Sequence, residues 1–442
     1  MLTSMYTAVS GMNANGTSLS VISDNIANLN TIGFKASRAT FGDVLSQSIT
    51  SASGTSQIGR GVSVLGVSPI FSQGSFENTS NGLDMAIDGD GFFMVNDGGA
   101  RSYTRAGQFS LDKNGNVVNV DGLVLQGYLA DAAGNITGTT GNLQIATRQN
   151  PANATTTASM AINLNAAATV PALPFTLGAT FDTPANFNFS STTTIYDSQG
   201  GAHQATMYFV KTAPNAWTVH YVYDDPNNPG RLMEGGQASG GVGLPPVGAA
   251  VTQALTFNTD GSLANDNSAT NIPFNFGGGV AAPQNVTFNF GTGTAEVPPG
   301  TGLDMTTQFA SDFAVMSVTQ DGYAAGSLKN VAVDDTGIIT GTFTNGQTRN
   351  IGQVALARFI APTQLTKLGR NLYGESFGSG QPIVGMANTS GLGKVLSNSL
   401  ELSNVDLASE FVNMISAQRG FEANSKIITT TDELMQVLVN LK

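Results

Sequence analysis

Apolar residues at the two ends of the chain recur with a seven-residue spacing. Met5, Met12, Leu19 and Ile26 are each seven apart, flanked by Leu2, Val9, Ile22 and Leu29. Leu407, Met414, Phe421, Ile428 and Met435 repeat the pattern at the other end, beginning from Leu400. That spacing predicts helices over 2–29 and 404–441, each with one apolar stripe and a left-handed seam. Gly11 and Gly16 weaken the first helix by about 1 kcal/mol each relative to Ala. At 1.5 Å per residue the second would be roughly 55 Å long, too long to fold back on a small core. Ser403 with Asp406 fits a capping box at its start, and Glu422 with Lys426 an i,i+4 ion pair. The simplest partner of each stripe is the other stripe, or copies of both in neighbouring molecules.

Between the helical ends the period changes to two. The stretches 92–128 and 330–359 read as meanders of short strands broken by Gly, Asp and Asn turns, with Asn345-Gly346 a hairpin signal. The two belong to one domain. Thirteen of the 16 prolines fall between Pro151 and Pro299, so that part is chopped into short segments. Its clearest element is the hairpin 205–225, where Trp217, Val219, Tyr221 and Tyr223 alternate with Thr218, His220 and Val222. It reads as a second β domain inserted into the first.

Composition narrows the chemistry. The chain has 442 residues, no Cys and only two His, His203 and His220, which excludes disulfides, zinc-thiolate sites, Cys nucleophiles and multi-His metal clusters. Only 11% of residues are charged, and the net charge of −12 repels nucleic acid and anionic membrane. Between 151 and 309, Lys211 and Arg231 face nine acidic residues, so this insert carries −7. No apolar run reaches membrane-span length, and with Lys35 the first basic residue no Sec-type signal is visible. Asp88, Asp90 and Gly91 resemble the opening of a calcium loop, but the twelfth position is Gly99; the stretch from Asp112 fails likewise at Leu123. Gly277 to Gly279 lack the context of a phosphate cradle, and the pairs Asp224–Asp225 and Asp334–Asp335 read as turns. No catalytic, cofactor or metal constellation remains, and no enzyme activity is expected.

The stretches 23–35 (SDNIANLNTIGFK) and 403–441 resemble the N- and C-terminal signatures of flagellar rod and hook proteins. The likeness extends inward through DGDGFFMV, YTRAGQFSLDKNGNVV, QDGYAAGSL and NLYGESFGSG, over about two thirds of the chain, and only loosely through the middle. Within that family, the length and the acidic insert point to the subunit of the hook, the curved flexible tube that transmits torque from motor and rod to the filament. The resemblance implies a multidomain fold: terminal α-helices forming a coiled-coil-like inner core, and two mainly-β outer domains, the second inserted into the first. By position these are 1–29 and 404–442 (terminal helices), 30–70 and 383–403 (joining region), 71–150 and 310–382 (proximal β domain) and 151–309 (inserted outer acidic β domain). Met5, Met12, Leu19, Ile26, Leu407, Met414, Phe421, Ile428 and Met435 are expected to hold the polymer. The partners implied are other copies of the chain, the distal rod protein, the hook cap, the hook–filament junction protein and the flagellar type III export apparatus. Nucleic acid and membrane insertion are not expected, and the location is the hook and basal body region, outside the cell after export. Two other readings stay open: a distal rod or other rod-like axial protein, and a secreted β adhesin or carbohydrate-acting β protein.

Overall fold

The computed structural model describes residues 2–44, 47–51, 54–131, 133–145, 149–177, 185–242, 246–267 and 271–440. Met1, Leu441 and Lys442, part of the expected helical ends, lie outside them. Helix α1 covers Leu2–Ala27 and helix α2 covers Leu407–Asn440; among the described residues between them the regular elements are strands, joined by turns and loops, and one short 3-10 turn. Two compact units emerge. Unit 1 holds Met1–Arg148, Leu328–Thr342 and Gln347–Lys442, and unit 2 holds Gln149–Ser327 and Phe343–Gly346.

In unit 1 the apolar run Phe92–Asp97 is a strand buried on both faces, as its sequence of four consecutive large apolar residues requires. It pairs with Ala100–Thr104 on one side and with Val124–Ala130 on the other, while Thr348–Arg358 also reaches it. Phe93 and Val95 pack among Met85, Ile87, Phe109 and Leu125. Phe92 and Met94 point the other way, to Tyr103, Ala355, Phe359 and Tyr373. The Asn345-Gly346 signal is a hairpin turn, with Ile338–Phe343 antiparallel to Thr348–Arg358 and Gly346 at φ +79°.

In unit 2 the predicted hairpin is present as Ala202–Ala213 against Ala216–Asp224. Trp217, Val219, Tyr221 and Tyr223 all point into the core, where they meet Met207, Phe209, Phe274 and Phe288. A second sheet orders Asn271–Phe274, Gln284–Asn289, Thr157–Asn163 and Ala314–Gln320. Residues 310–327, which the sequence places with the proximal segment, therefore fall in unit 2: Met160 lies opposite Val318. No change of composition marks that boundary; the partner strand lies about 160 residues upstream. The unit closes where Gln149 pairs with Ser327, so its two chain ends are adjacent.

A single turn recurs in both units. Asp112 Oδ1 accepts the N–H groups of Asn114 and Asn116, each at 2.8 Å. Asp131, Asp197, Asp334 and Asn119 each receive the same two bonds from residues two and four further on. The fourth residue is always Gly with φ between +78° and +88°, a conformation that L side chains avoid. The calcium-like stretch at Asp112 is thus a turn whose carboxylate is occupied by its own backbone.

These bonds have a consequence for pH. Burial raises the Asp321 carboxyl, but donation from the Thr156 hydroxyl and the Thr157 and Thr156 N–H groups outweighs it and leaves the group below its ordinary value. Asp112, Asp131, Asp197, Asp225 and Asp260 are lowered too. A carboxyl lowered on folding stabilises the fold above its unfolded value, about 4, and that contribution is lost as pH falls through the folded value. Circular-dichroism melts should therefore hold down to about pH 4 and drop steeply below it, and Asp321→Asn should flatten the drop for unit 2. An unchanged slope in that variant would show that Asp321 does not contribute.

Candidate functional site: the terminal helix pair

The two helices pack antiparallel along a seam of small and polar residues. A Cβ added at Gly11 would lie 2.7 Å from Asn424 Nδ2, and one at Gly420 would lie 3.0 Å from Asn15 Nδ2. Asn15 donates back to the Gly11 carbonyl and Asn424 to the Gly420 carbonyl, both at 2.9 Å. The contact is thus reciprocal: a Gly followed four residues later by Asn on each helix, each Gly receiving the other's Asn. Missing side chains let the backbones approach, and each amide is satisfied within its own helix. Among the described residues, Ala8, Ala14, Ile22, Asn25, Ala417 and Thr431 are the ones buried on the two helices.

The heptad stripes do not make this seam. Leu407, Phe421, Met435 and Met5 remain exposed, Phe421 at 43%, and Met12, Leu19, Ile26, Met414 and Ile428 are half-buried. Around the stripe Phe411, Val412, Ile415, Leu434 and Val437 are exposed as well. The reason is geometric: Gly, Ala and Asn occupy the line of closest approach, which turns the large apolar side chains outward. Two local expectations are corrected. Asp406 is the cap of α2, its Oδ1 accepting the Ala408 N–H at 3.1 Å, while Ser403 Oγ accepts only from Val405 at 3.4 Å. The helix begins at Leu407, three residues later than expected, which puts Ser403 out of reach of its first turn. Glu422 and Lys426 are both exposed and form no ion pair, since water solvates them and a fixed geometry would cost side-chain entropy.

Below the helices a buried charge cluster ties the ends of the chain to the β body. Lys35 Nζ lies 2.6 Å from Glu401 Oε1, and both side chains are fully buried. Arg105 Nη1 reaches Glu401 Oε2 at 3.4 Å, while Nη2 donates to the Gly89 carbonyl at 2.8 Å. Lys35 also donates to the Ser72 carbonyl at 2.7 Å, and Gly74 N–H to Glu401 at 2.9 Å. Burial pulls the Lys35 ammonium below its ordinary value, against the attraction of Glu401 and its hydrogen bond. Asn404 completes the junction by accepting from Ala36 N–H at 2.7 Å and donating to the Ile70 carbonyl at 2.8 Å. Asn25 links α1 to it, bonded both ways to Ser37 and, at 3.1 Å, to Glu410 of α2. Four stretches of chain, 33–37, 70–74, 87–105 and 401–405, meet here.

Sequence reading missed the charge cluster and the Gly–Asn seam. The seam left a signal, since GMNAN (Gly11 to Asn15) and GFEAN (Gly420 to Asn424) share a spacing; Lys35 and Glu401, 366 residues apart, left none. The other candidates do not converge. His203 bonds Asp197 at 2.8 Å and stacks on Phe276, whereas His220 bonds Glu234 and lies against Phe175. In the ladder His203 faces Ile195 and His220 faces Tyr208, so the two do not meet. Asp225 caps its own turn by accepting from Asn227 and Asn228. Gly277 to Gly279 form a loop with positive φ throughout.

Comparison with known proteins follows the same layout. Residues 5–35 match the flagella basal body rod protein family, and 396–441 match the flagellar basal body rod FlgEFG protein C-terminal family. Residues 86–168 match the flagellar hook protein FlgE/F/G D1 domain, and 163–323 the flagellar basal body protein FlaE D2 domain. The flagellar hook protein FlgE of Escherichia coli is 35% identical over 98% of this chain and 99% of its own. That of Borreliella burgdorferi is 34% identical over all of both chains. A crystal structure of Helicobacter pylori flagellar hook protein FlgE2 covers 74% of this chain and all of its own, with a TM-score of 0.49 and 15% identity. With full-length relatives above 30% identity and matching sequence families at both helical ends and in both β units, the chain belongs to the flagellar hook protein FlgE family.

Proposed function

We infer that this chain is the structural subunit of the flagellar hook, without enzymatic activity, and that it polymerises through the outward faces of its terminal helices. One observation carries the second part: the helices use Gly and Asn to pair with each other, leave Met5, Leu407, Phe421 and Met435 exposed and only half bury the rest of the stripe. Apolar rows of that length on a subunit are usually covered by another molecule. Met5, Met12, Leu19, Ile26, Leu407, Met414, Phe421, Ile428 and Met435 are assigned to holding that core together, in a coiled-coil-like arrangement between copies. Unit 2 serves as the inserted outer domain. At its two ends such a tube joins the distal rod protein and the hook–filament junction protein; it grows under a hook cap and is fed by the type III export apparatus. Sparse charge suits a tube that rotates while bent, because small polar surfaces with few fixed ion pairs offer many near-equivalent contacts while the apolar core holds.

Electron microscopy of the purified chain under polymerising conditions tests this reading. Curved tubes are expected; straight tubes would favour a rod-like axial protein, and no assembly would refute it. A second arm removes 149–327, whose ends are adjacent, a condition under which excision leaves the rest foldable. Straight or irregular tubes are expected, since a small change of spacing in the outer layer has most leverage on curvature. A truncated chain that folds and forms no tubes would place the holding contacts in unit 2.

A further inference from the structure

Unit 1 carries a rigid aromatic knob that its own fold does not use. Phe377 is fully exposed at the tip of the turn 374–380. The turn is held from both sides. Ser376 N–H donates to Ser379 Oγ at 3.0 Å and Ser379 N–H to Ser376 Oγ at 3.1 Å, while Ser379 Oγ donates to the Ser376 carbonyl at 2.9 Å. Ser376 Oγ in turn bonds the Gln364 carbonyl, and Ala361 N–H the Ser379 carbonyl at 3.4 Å. Ser379 itself is completely buried. A buried serine and a ring of side-chain and backbone bonds therefore fix the turn that carries a phenylalanine into water, where it contributes nothing to the stability of the monomer. Pre-organised aromatic side chains of this kind dominate the energetics of protein interfaces, because little conformational entropy is lost when they are covered.

The surroundings say what covers it. Ile360, 81% exposed, sits on the loop to which the turn is bonded, and Ile383 lies opposite Arg358 in the sheet. The guanidinium of Arg358, a half-buried residue, has no hydrogen-bond or ion-pair partner among the described residues. It lines, with Arg105, Asp90 and Ile360, a cavity of about 370 Å³ floored by Phe71, Phe92 and Phe359; Arg105 is engaged by Glu401 and the Gly89 carbonyl and attracted by Asp90, so Arg358 is the guanidinium with unused donors. An apolar knob on a turn bonded to the loop that follows Arg358, whose guanidinium has unused donors, fits a protein surface that brings apolar area and a carboxylate. A copy of this chain, with 30 acidic against 18 basic residues, supplies both.

We propose that Phe377, Ile360 and Arg358 form a contact between β bodies of neighbouring copies, a fixed anchor separate from the helical core. The proposal rests on the hook-subunit reading. A knob on one face that meets a different face of the next copy makes a heterologous contact, which propagates a helical array instead of closing a dimer.

The absence of cysteine supplies the test, since Phe377→Cys places a single thiol in the chain. Its reaction with a maleimide is compared in the monomer and in tubes. Burial in the tube is expected to slow labelling about tenfold or more, as contact-protected groups react only through local opening. Failure of the Phe377→Cys chain to form tubes, with its monomer folded by circular dichroism, would also support the contact, because a fully exposed ring has no role in the monomer. Tubes labelled at the monomer rate would overturn it, as would full tube yield from Phe377→Asp. If the parent chain forms no tubes, the hook-subunit reading fails first, and the failure is visible without any variant.

Discussion

A Phe421→Asp chain is expected to remain monomeric with both β units folded. Phe421 lies in the exposed row of α2 and adjoins Gly420, so an aspartate there is harmless in the free chain and carries its charge in water. In the polymer the same position would be covered by neighbours, and an uncompensated buried charge costs about 3–5 kcal/mol. Each tenfold in an equilibrium constant corresponds to about 1.4 kcal/mol, so the concentration needed for assembly should rise at least roughly 100-fold. The cost recurs in every subunit. Sedimentation and electron microscopy read the loss, and circular-dichroism melting shows whether the β units survive. Tubes of parental stability would show that the α2 row is not the holding contact.

The second large effect is expected at Glu401. Glu401→Gln leaves Lys35 buried without its counter-charge and Arg105 with only the attraction of Asp90, in a junction where both Glu401 oxygens are engaged. Breaking one side of a buried charge group costs about 3–5 kcal/mol, and in a unit of this size each kcal/mol lowers Tm by about 2–4 °C. A fall of roughly 6–20 °C in the unit 1 transition follows. The sign of its pH dependence identifies the cause. Loss of Glu401 removes what holds the Lys35 proton, so the folded value of Lys35 drops further below the unfolded one, and the unfolded state binds more protons between the two. Stability of the variant should therefore recover as pH rises through that window. Lys35→Met in the same chain should recover part of it at neutral pH. A melt within about 2 °C of the parent would mean that water reaches the cluster and replaces the carboxylate.

How much of this was legible depended on the range of the interaction. The central strand of unit 1, the 205–225 hairpin and the Asn345-Gly346 turn could be read because each is specified by neighbours along the chain: alternation selects a strand, and an Asn-Gly pair selects the turn. The family signatures were equally local. The edge of unit 2 was misread because Ala314–Gln320 belongs to it only through pairing with a strand far upstream. The cap of α2 was misread by one motif: Ser403 and Asp406 match the spacing of a capping box, yet Ser403 Oγ accepts only from Val405 and Asp406 alone meets the helix.

The heptads show the division most clearly. The sequence by itself determined that both ends are helical and that each carries an apolar row, because a period near 3.5 residues is compatible with nothing else over that length. Which faces meet within the subunit was decided only in three dimensions. Two glycines and two asparagines allow a closer backbone approach than leucine or phenylalanine would, so the helices pair through their least apolar line and present the row outward. Lys35, Arg105 and Glu401 likewise become one group only after strands from both halves of unit 1 have paired, since burial, and not spacing, turns isolated charges into a joint.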